Sequence, residues 1–391
     1  MRAPVVLALV LAAAASGSAW QSPIAPPKPE ALSATDTILL TNGWAALAEG
    51  KFDLARQKLA QAFAASPQSV HGLTLAIEID IAQKDSSAAL ATYETWLGRR
   101  TIDEPFALRR IARAALFEAS RLQNAPAGTR LNALRALAEE GETAARAALE
   151  NEAFRVPGST GALPETQVLT SMGDPRAVGQ AIKYLGAAVP GKANLMAALA
   201  DSRSPDAIQP LIRMLNDPEP AHVAAAAEAL GRLDARGAVP QLRDLFSAQS
   251  SLISVRMAAA GALYRMGDNT GQPQLRSWLT SGPPAVRVEA ARFMASLPDP
   301  EWQAAVRGVL TGDDPTVLLA GASLIAPYDL QLATETIGRL MGSSNVVVQE
   351  KAAQVLAKQL ATDFRVLRGL MRSGDVGTRA AAAARVLELT R

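Results

Sequence analysis

The sequence predicts an all-α fold, an α-solenoid built as a right-handed superhelical stack of helix pairs, and three observations carry that prediction. An apolar residue recurs every 31 positions through the C-terminal half: Leu263, Met294, Ile325, Leu356 and Leu387, preceded, behind a two-residue insertion, by Leu230 and Leu199. From Leu263 onward each stands eight residues after a valine or its substitute (Val255, Val286, Val317, Val348, Arg379), and small residues follow that valine at four and five, as in Ala259-Ala260 and Ala290-Ala291. Finally, 49% of the residues are hydrophobic but only 4% are aromatic, so alanine and leucine supply the apolar surface, and no run alternates as a half-buried strand does. A fixed period of about 20 to 50 residues marks stacked repeats, because a unit that short cannot bury its own apolar face.

Composition then narrows the classes of function. The chain has no cysteine, which removes disulfides, thiolate metal sites and a cysteine nucleophile. Its two histidines, His71 and His222, stand in separate segments, so neither a histidine metal site nor any cofactor is expected. The 39 basic and 37 acidic residues leave a net charge of +2 with no basic run. The clustered basic face that phosphate contacts require is missing, and nucleic acid is not an expected partner.

Residues 1–19 read as a secretory signal: Arg2 gives a positive start, residues 5–15 are unbroken apolar, and Gly17-Ser18-Ala19 offers small residues for cleavage. The run is too short to span a bilayer, which needs about 20 residues, and no cysteine follows it to take a lipid. A periplasmic or secreted protein without a transmembrane segment in the mature chain is the expectation. Residues 20–33 hold Pro23, Pro26, Pro27 and Pro29, which forbid a helix and favour an extended linker.

Residues 34–155 show helical patterning with a period near 34. In Gly50-Lys51-Phe52-Asp53-Leu54-Ala55, followed by Leu59, Ala62 and Pro67, a glycine closes one helix and a proline the next. Gly43, Ala55 and Ala62 fall where paired helices would cross closely. This unit resembles the tetratricopeptide repeat. In a second unit Ala89, Tyr93 and Trp96 follow Ala55, Leu59 and Ala62 by 34 residues, but Lys84-Asp85-Ser86 replaces the glycine and aromatic. Two further helices are expected, over 105–122 and 129–150, with apolar faces such as Leu108, Ile111, Ala115 and Leu131, Leu134, Leu137. Pro157, Gly158, Gly161 and Pro164 then mark a boundary between arrays.

The 31-residue array fills the rest, within a second domain at 156–391. Each unit has a short first helix, as in Leu211, Ile212, Leu215 or Leu242, Leu245, Phe246, and an alanine-rich second helix. Asp174-Pro175, Asp217-Pro218, Asp299-Pro300 and Asp314-Pro315 punctuate the turns, aspartate suiting a cap and proline a first turn. These features, with the Val-Arg dipeptides Val255-Arg256 and Val286-Arg287, resemble HEAT repeats, specifically the short kind found in phycobilisome lyases. Val317-Leu318 and Val348-Gln349 lack the arginine, so an arginine–aspartate ladder through that position would break there.

No catalytic pattern is complete. Gly-x-Ser-x-Gly, His-Glu-x-x-His and Ser-x-x-Lys are missing, and no phosphate-binding Gly-x-x-x-x-Gly-Lys is expected. Glu139 and Glu140 are adjacent on a helix, about 100° apart, and do not face each other; Asp313-Asp314 precedes a proline and reads as a cap. The expected function is that of a non-catalytic exported scaffold whose concave face binds proteins or peptides. Tyr264, Trp278, Trp302 and Tyr328, expected to be exposed, are the candidate partner-binding residues, since tyrosine and tryptophan are enriched at binding hot spots. The alternatives are an accessory or regulatory subunit of an envelope enzyme and, as the resemblance implies, a bilin-lyase-like enzyme. The sequence stops just after an alanine-rich helix, which leaves a last apolar stripe expected to be exposed and open to self-association through the C-terminal repeat.

Overall fold

The computed structural model describes residues 32–98, 102–155, 162–249, 251–295, 301–361 and 363–391. The signal segment, the linker up to residue 31, the breakers Pro157, Gly158 and Gly161, and Asp299-Pro300 lie outside the described residues. Twenty-two α-helices and no strand occur among the described residues, as the repeat period and the alanine-rich composition require.

The chain packs as two compact units. Unit 1 takes the described residues up to Arg146 together with Leu356–Arg391, and unit 2 is Ala147–Val355. The helices of unit 1 are α1 (Ala34–Ala48), α2 (Phe52–Ala65), α3 (Val70–Ala82), α4 (Ser86–Leu97), α5 (Pro105–Arg121) and α6 (Ala127–Glu139). The start of α7 (Thr143–Phe154) belongs here too. Unit 2 continues with α8 (Leu163–Ser171), α9 (Pro175–Leu185), α10 (Lys192–Asp201), α11 (Ile208–Met214), α12 (Pro220–Arg232), α13 (Val239–Ser247), α14 (Ile253–Arg265) and α15 (Gln272–Ser281). It ends with α16 (Pro284–Met294), α17 (Glu301–Val309), α18 (Pro315–Ile325), α19 (Leu330–Met341) and α20 (Val346–Val355). A π-helical turn at Leu356–Leu360 leads into α21 (Phe364–Met371) and α22 (Val376–Leu389), which complete unit 1. Repeat register groups α21 and α22 with the 31-residue array; packing groups them with the N-terminal helices.

Unit 2 is built on the repeat that the sequence displays. Leu199, Leu230, Leu263, Met294 and Ile325 are all wholly buried, as are Ala259, Ala260, Ala290, Ala291 and Ala322. The small residues act by letting backbones approach. A methyl on Gly231 would lie 2.7 Å from the Ala262 Cα, and one on Gly271 would lie 2.6 Å from the Ala260 Cβ. The Phe293 ring of α16 occupies the space that a side chain on Gly261 would need. The register slips at Leu356, which is only half-buried while Ala357 and Leu360 take the core positions. There the α-helix gives way to the π turn, whose extra residue rotates the following side chains.

Unit 1 has the same logic in its first two pairs. Ala55 and Ala62 are buried, and a methyl on Gly43 would meet Leu75 at 2.6 Å. Gly50 closes α1 at φ 72°, and Lys84, standing where the second unit lacks its glycine, holds the same left-handed conformation at φ 60°. The backbone feature therefore survives the loss of the residue that favours it. The single helix expected over 129–150 is divided: Gly141, at φ 82°, ends α6 and α7 starts two residues later.

The last apolar stripe is not exposed. Ala382, Ala383, Val386 and Leu387 on α22 are at most 1% accessible, and α22 packs against α5, α6 and α21. The sequence carries no periodic signal for this, because α5 and α22 are non-neighbours in the repeat order. The face expected to serve self-association is thus covered within the chain.

Candidate interaction surface

The recurring polar residues of unit 2 mostly hold the fold. Asp174 accepts from the backbone N–H groups of Arg176 and Ala177, and Asp314 from those of Thr316 and Val317, so both are helix N-caps. Asp217 sits before the first turn of α12; it accepts from the Glu219 N–H and pairs with His222 Nδ1 at 2.9 Å.

The Val-Arg arginines do not form a ladder with aspartate. Arg256 Nε donates to the Phe246 carbonyl at 3.1 Å and Arg287 Nε to the Leu279 carbonyl at 3.1 Å, each at the end of the preceding first helix. Gln349 makes the equivalent bond to the Ser343 carbonyl, and Arg379, in the place of the valine, donates to those of Ser373 and Gly374. Helix ends leave carbonyls without intrahelical donors, and in these four repeats a side chain satisfies them.

A ladder does exist, on the first helices. Arg243 pairs with Asp268 at 2.7 Å, Arg276 with Glu301 at 3.3 Å and Arg307 with Asp329 at 3.2 Å; Arg339 donates instead to the Leu310 carbonyl. Each of these acids stands just before or at the start of the next first helix. These arginines recur at near-repeat spacing in the sequence, at 243, 276, 307 and 339. Contrary to expectation, residues 186–192 do fit the spacing Gly-x-x-x-x-Gly-Lys. A helix rather than a strand precedes them, Ala193 takes the place of the hydroxyl residue, and Lys192 lies 3.9 Å from Asp217, so no phosphate loop is formed.

On the second helices, Arg292 of α16 reaches past α14 to Glu228 of α12 and also pairs with Glu289 at 2.6 Å. Burial works against the Glu228 carboxylate, but the hydrogen bond and charge of Arg292 outweigh it and hold the carboxyl below its ordinary range. Arg265 lies beside this pair, its guanidinium pushed down by burial, and Arg232 is engaged by Asp201.

Three of the four candidate aromatics are core. Tyr264 is 5%, Trp278 8% and Trp302 1% accessible, which corrects the expectation that they are exposed. Trp278 lies under the Arg256 guanidinium, 5.8 Å from the ring centre. Tyr328 is 55% accessible and stands edge-on to Trp302, ring centres 5.0 Å apart. Leu330 beside it is also exposed. The other large exposed apolar residues described in unit 2 are Leu252, Ile253, Val346 and Val347, and all six stand in turns or within the first residues of a helix.

Unit 1 is organised differently, around buried charge. Arg109 on α5 is 7% accessible; it pairs with Glu140 and donates to the Leu387 carbonyl at 3.1 Å and to Thr390 Oγ1 at 3.2 Å. Glu140 also accepts from Arg391 Nε at 2.7 Å. On α21, Arg368 pairs with Asp103 and lies 3.5 Å from Glu94, while Arg372 pairs with Glu94. Asp103 in turn accepts from the Tyr93 hydroxyl at 2.8 Å, and burial pushes that phenol up.

Among the described residues no group of three or more His, Asp or Glu side chains is placed to hold a metal ion, and no helix is long and apolar enough to cross a membrane. Compared with known proteins, residues 190–263 match the family of HEAT repeats. No curated protein is significantly similar to the chain. Among solved structures, the CpcE–CpcF complex of phycocyanin lyase from Nostoc is 19% identical, covering 71% of this chain and 94% of that one at a TM-score of 0.36. Human deoxyhypusine hydroxylase is 15% identical, covering 72% and 98% at 0.32. An engineered protein is 18% identical, covering 92% and 99% at 0.29. At such TM-scores none of the three bears on what this chain does. The chain is a helical-repeat protein, and its residues 190–263 match HEAT repeats.

Proposed function

We propose that the protein is an exported, non-catalytic scaffold that binds other proteins or peptides along its helical repeats. The observation that carries this reading is the division of labour in unit 2. The recurring charged side chains close turns, cap helices or bridge repeats, whereas Leu252, Ile253, Tyr328, Leu330, Val346 and Val347 are left outward at the turns. An exposed tyrosine suits the anchoring of a partner, and exposed apolar side chains at the turns extend the surface that a partner can cover. Tyr328, steadied by its edge contact with Trp302, is the best placed of them. Export rests on residues 1–19, whose pattern is that of a secretory signal, and places the partners in the periplasm or outside the cell.

In-cell crosslinking of the exported protein, followed by purification and mass spectrometry, tests this reading. A few stoichiometric envelope proteins, lost when Tyr328 and Leu330 are both changed to serine, are expected. Recovery of the protein alone would contradict it. Recovery of a single enzyme whose turnover changes with the scaffold bound would make the chain a regulatory subunit instead.

A further inference from the structure

The charges on α12, α14 and α16 are laid out in two rows. Glu228, Gly261 and Arg292 hold corresponding positions on the three helices, and Arg232 and Arg265 stand one turn further along α12 and α14. Arg292 reaches past α14, where Gly261 presents no side chain, and takes both Glu228 oxygens, Nη1 on Oε1 and Nη2 on Oε2 at 2.8 Å. Arg232 is engaged by Asp201, and Glu289 serves Arg292 from one turn back on α16. Every carboxylate of the cluster is thus engaged by another arginine before Arg265 is reached. Arg265 Nη1 is wholly buried and has no hydrogen-bond partner, and its side chain makes no ion pair among the described residues. A guanidinium keeps its charge in a protein, so a buried nitrogen without an acceptor is a cost that the free chain carries. The surroundings add to it: burial first, and then the like charges of Arg292 and Arg232 against the single charge of Glu228, hold this guanidinium below its ordinary value. The neighbouring positions are small. Ser254, Ala258 and Gly261 precede Arg265 on its own helix face, and Ala221 and Ala225 precede Glu228 on that of α12, so a partner's main chain can lie close.

We propose that Arg265 is the docking point for a carboxylate side chain on an acidic segment of a partner protein, with Arg292 and Arg232 as flanking cations. The side chain as a whole is partly exposed, and rotation about its last bond presents Nη1 to an incoming carboxylate in the paired N–H···O geometry that arginine favours. Charge selects the class of partner. Two like neighbours disfavour a guanidinium that has no counter-ion, and the same three cations attract an anion placed among them. An apolar segment would leave Nη1 without an acceptor, and a basic one would be repelled. This deepens the scaffold reading and rests on it, since it names the partner's chemistry.

The test uses the full chain and fluorescein-labelled hexaglutamate, followed by fluorescence anisotropy at low salt, where exposed charges are least screened. The unaltered chain is expected to bind it saturably, and Arg265→Gln to bind at least tenfold more weakly, as befits the loss of a charge-assisted pair. Arg307→Gln, which removes an equal charge from the exposed pair with Asp329, should leave binding within twofold. Arg265→Lys keeps the charge without the paired geometry and should fall between the two. A merely structural arginine would behave otherwise: Arg265→Gln would melt lower and bind as before. The proposal has that variant melt no lower than the unaltered chain, and has the peptide raise the melting temperature of the unaltered chain alone. It is overturned if Arg265→Gln binds unchanged, or if Arg307→Gln weakens binding as much. Should Arg265→Gln lose its helical circular dichroism, unchanged binding by Arg265→Lys overturns it instead. If inorganic phosphate competes as well as unlabelled hexaglutamate does, the site takes any anion and the assignment to an acidic protein segment falls. Crosslinked partners that persist with Arg265→Gln would keep the scaffold reading and sink this one; an intact peptide response with no crosslinked partner would do the reverse.

Discussion

Unit 2 and unit 1 solve the same packing problem with opposite materials. In unit 2 the contacts between second helices use alanine and glycine, so close that Gly231 of α12 has no room for a methyl group against Ala262 of α14; the charged side chains lie outside that seam. In unit 1 the apolar face of α22 on α5 and α6 is joined by buried charge, Arg109 pairing with Glu140, and Arg368 of α21 pairs with Asp103 before α5. The difference follows from what each contact must specify. A helix between two like neighbours needs only a shape that repeats, and non-directional burial supplies it. A contact between elements far apart in the repeat order has to be told from every other alanine-rich face, and hydrogen-bonded charge is directional enough to do so.

The largest effects are expected where each unit concentrates its packing. Trp302→Ala in unit 2 removes a side chain that is 1% accessible and should cost about 3–5 kcal/mol, read as a lowered urea midpoint. In unit 1, Arg109→Met keeps the stem but leaves the Glu140 carboxylate buried with Arg391 as its remaining partner, a loss of about 3 kcal/mol. A cost near zero would mean that the pair is not the specifying contact. Ala260→Phe forces a ring against the backbone at Gly271 and should cost about 1–3 kcal/mol; an unchanged melt would show that the seam is looser than the glycine contacts imply.

Acid separates the two kinds of packing further. The folded-state pKa of Glu228 lies below its unfolded value, so the carboxylate contributes stability above the unfolded pKa and loses it as pH falls through the folded one. Glu228→Gln should therefore melt lower than the unaltered chain at pH 7, and the gap should close below about pH 4. The smallest effect belongs to the exposed ladder: Arg307→Ala, whose side chain is 44% accessible, should change stability by less than about 1 kcal/mol. A larger loss would make the ladder a structural element in its own right.

What the sequence disclosed tracks the same division. The seam was legible because identical neighbours impose an identical residue every 31 positions, and Leu199 through Ile325 are buried where that period places them. The slip at Leu356 was hidden, since a π turn keeps the residue type while rotating the side chain. Lys84 departs from the glycine pattern without departing from its backbone conformation. Of the candidate aromatics, Tyr328 is exposed as expected, while Tyr264, Trp278 and Trp302 fill the core because each lies on the inward side of its helix. The Arg256 and Arg287 positions were visible, but their carbonyl partners were not, since a sequence records side chains and not helix ends. The contact of Arg109 with the end of α22 was illegible altogether, since no period relates α5 to α22.

The claim that unit 1 is specified by buried charge and unit 2 by an apolar seam is tested most directly by hydrogen–deuterium exchange on the Arg109→Met variant beside the unaltered chain. Faster exchange is expected in α22, α21 and α5, with the amides of α12, α14, α16 and α18 protected as before. Equal exchange in α22, or a rise that spreads evenly through the second helices of unit 2, would contradict it.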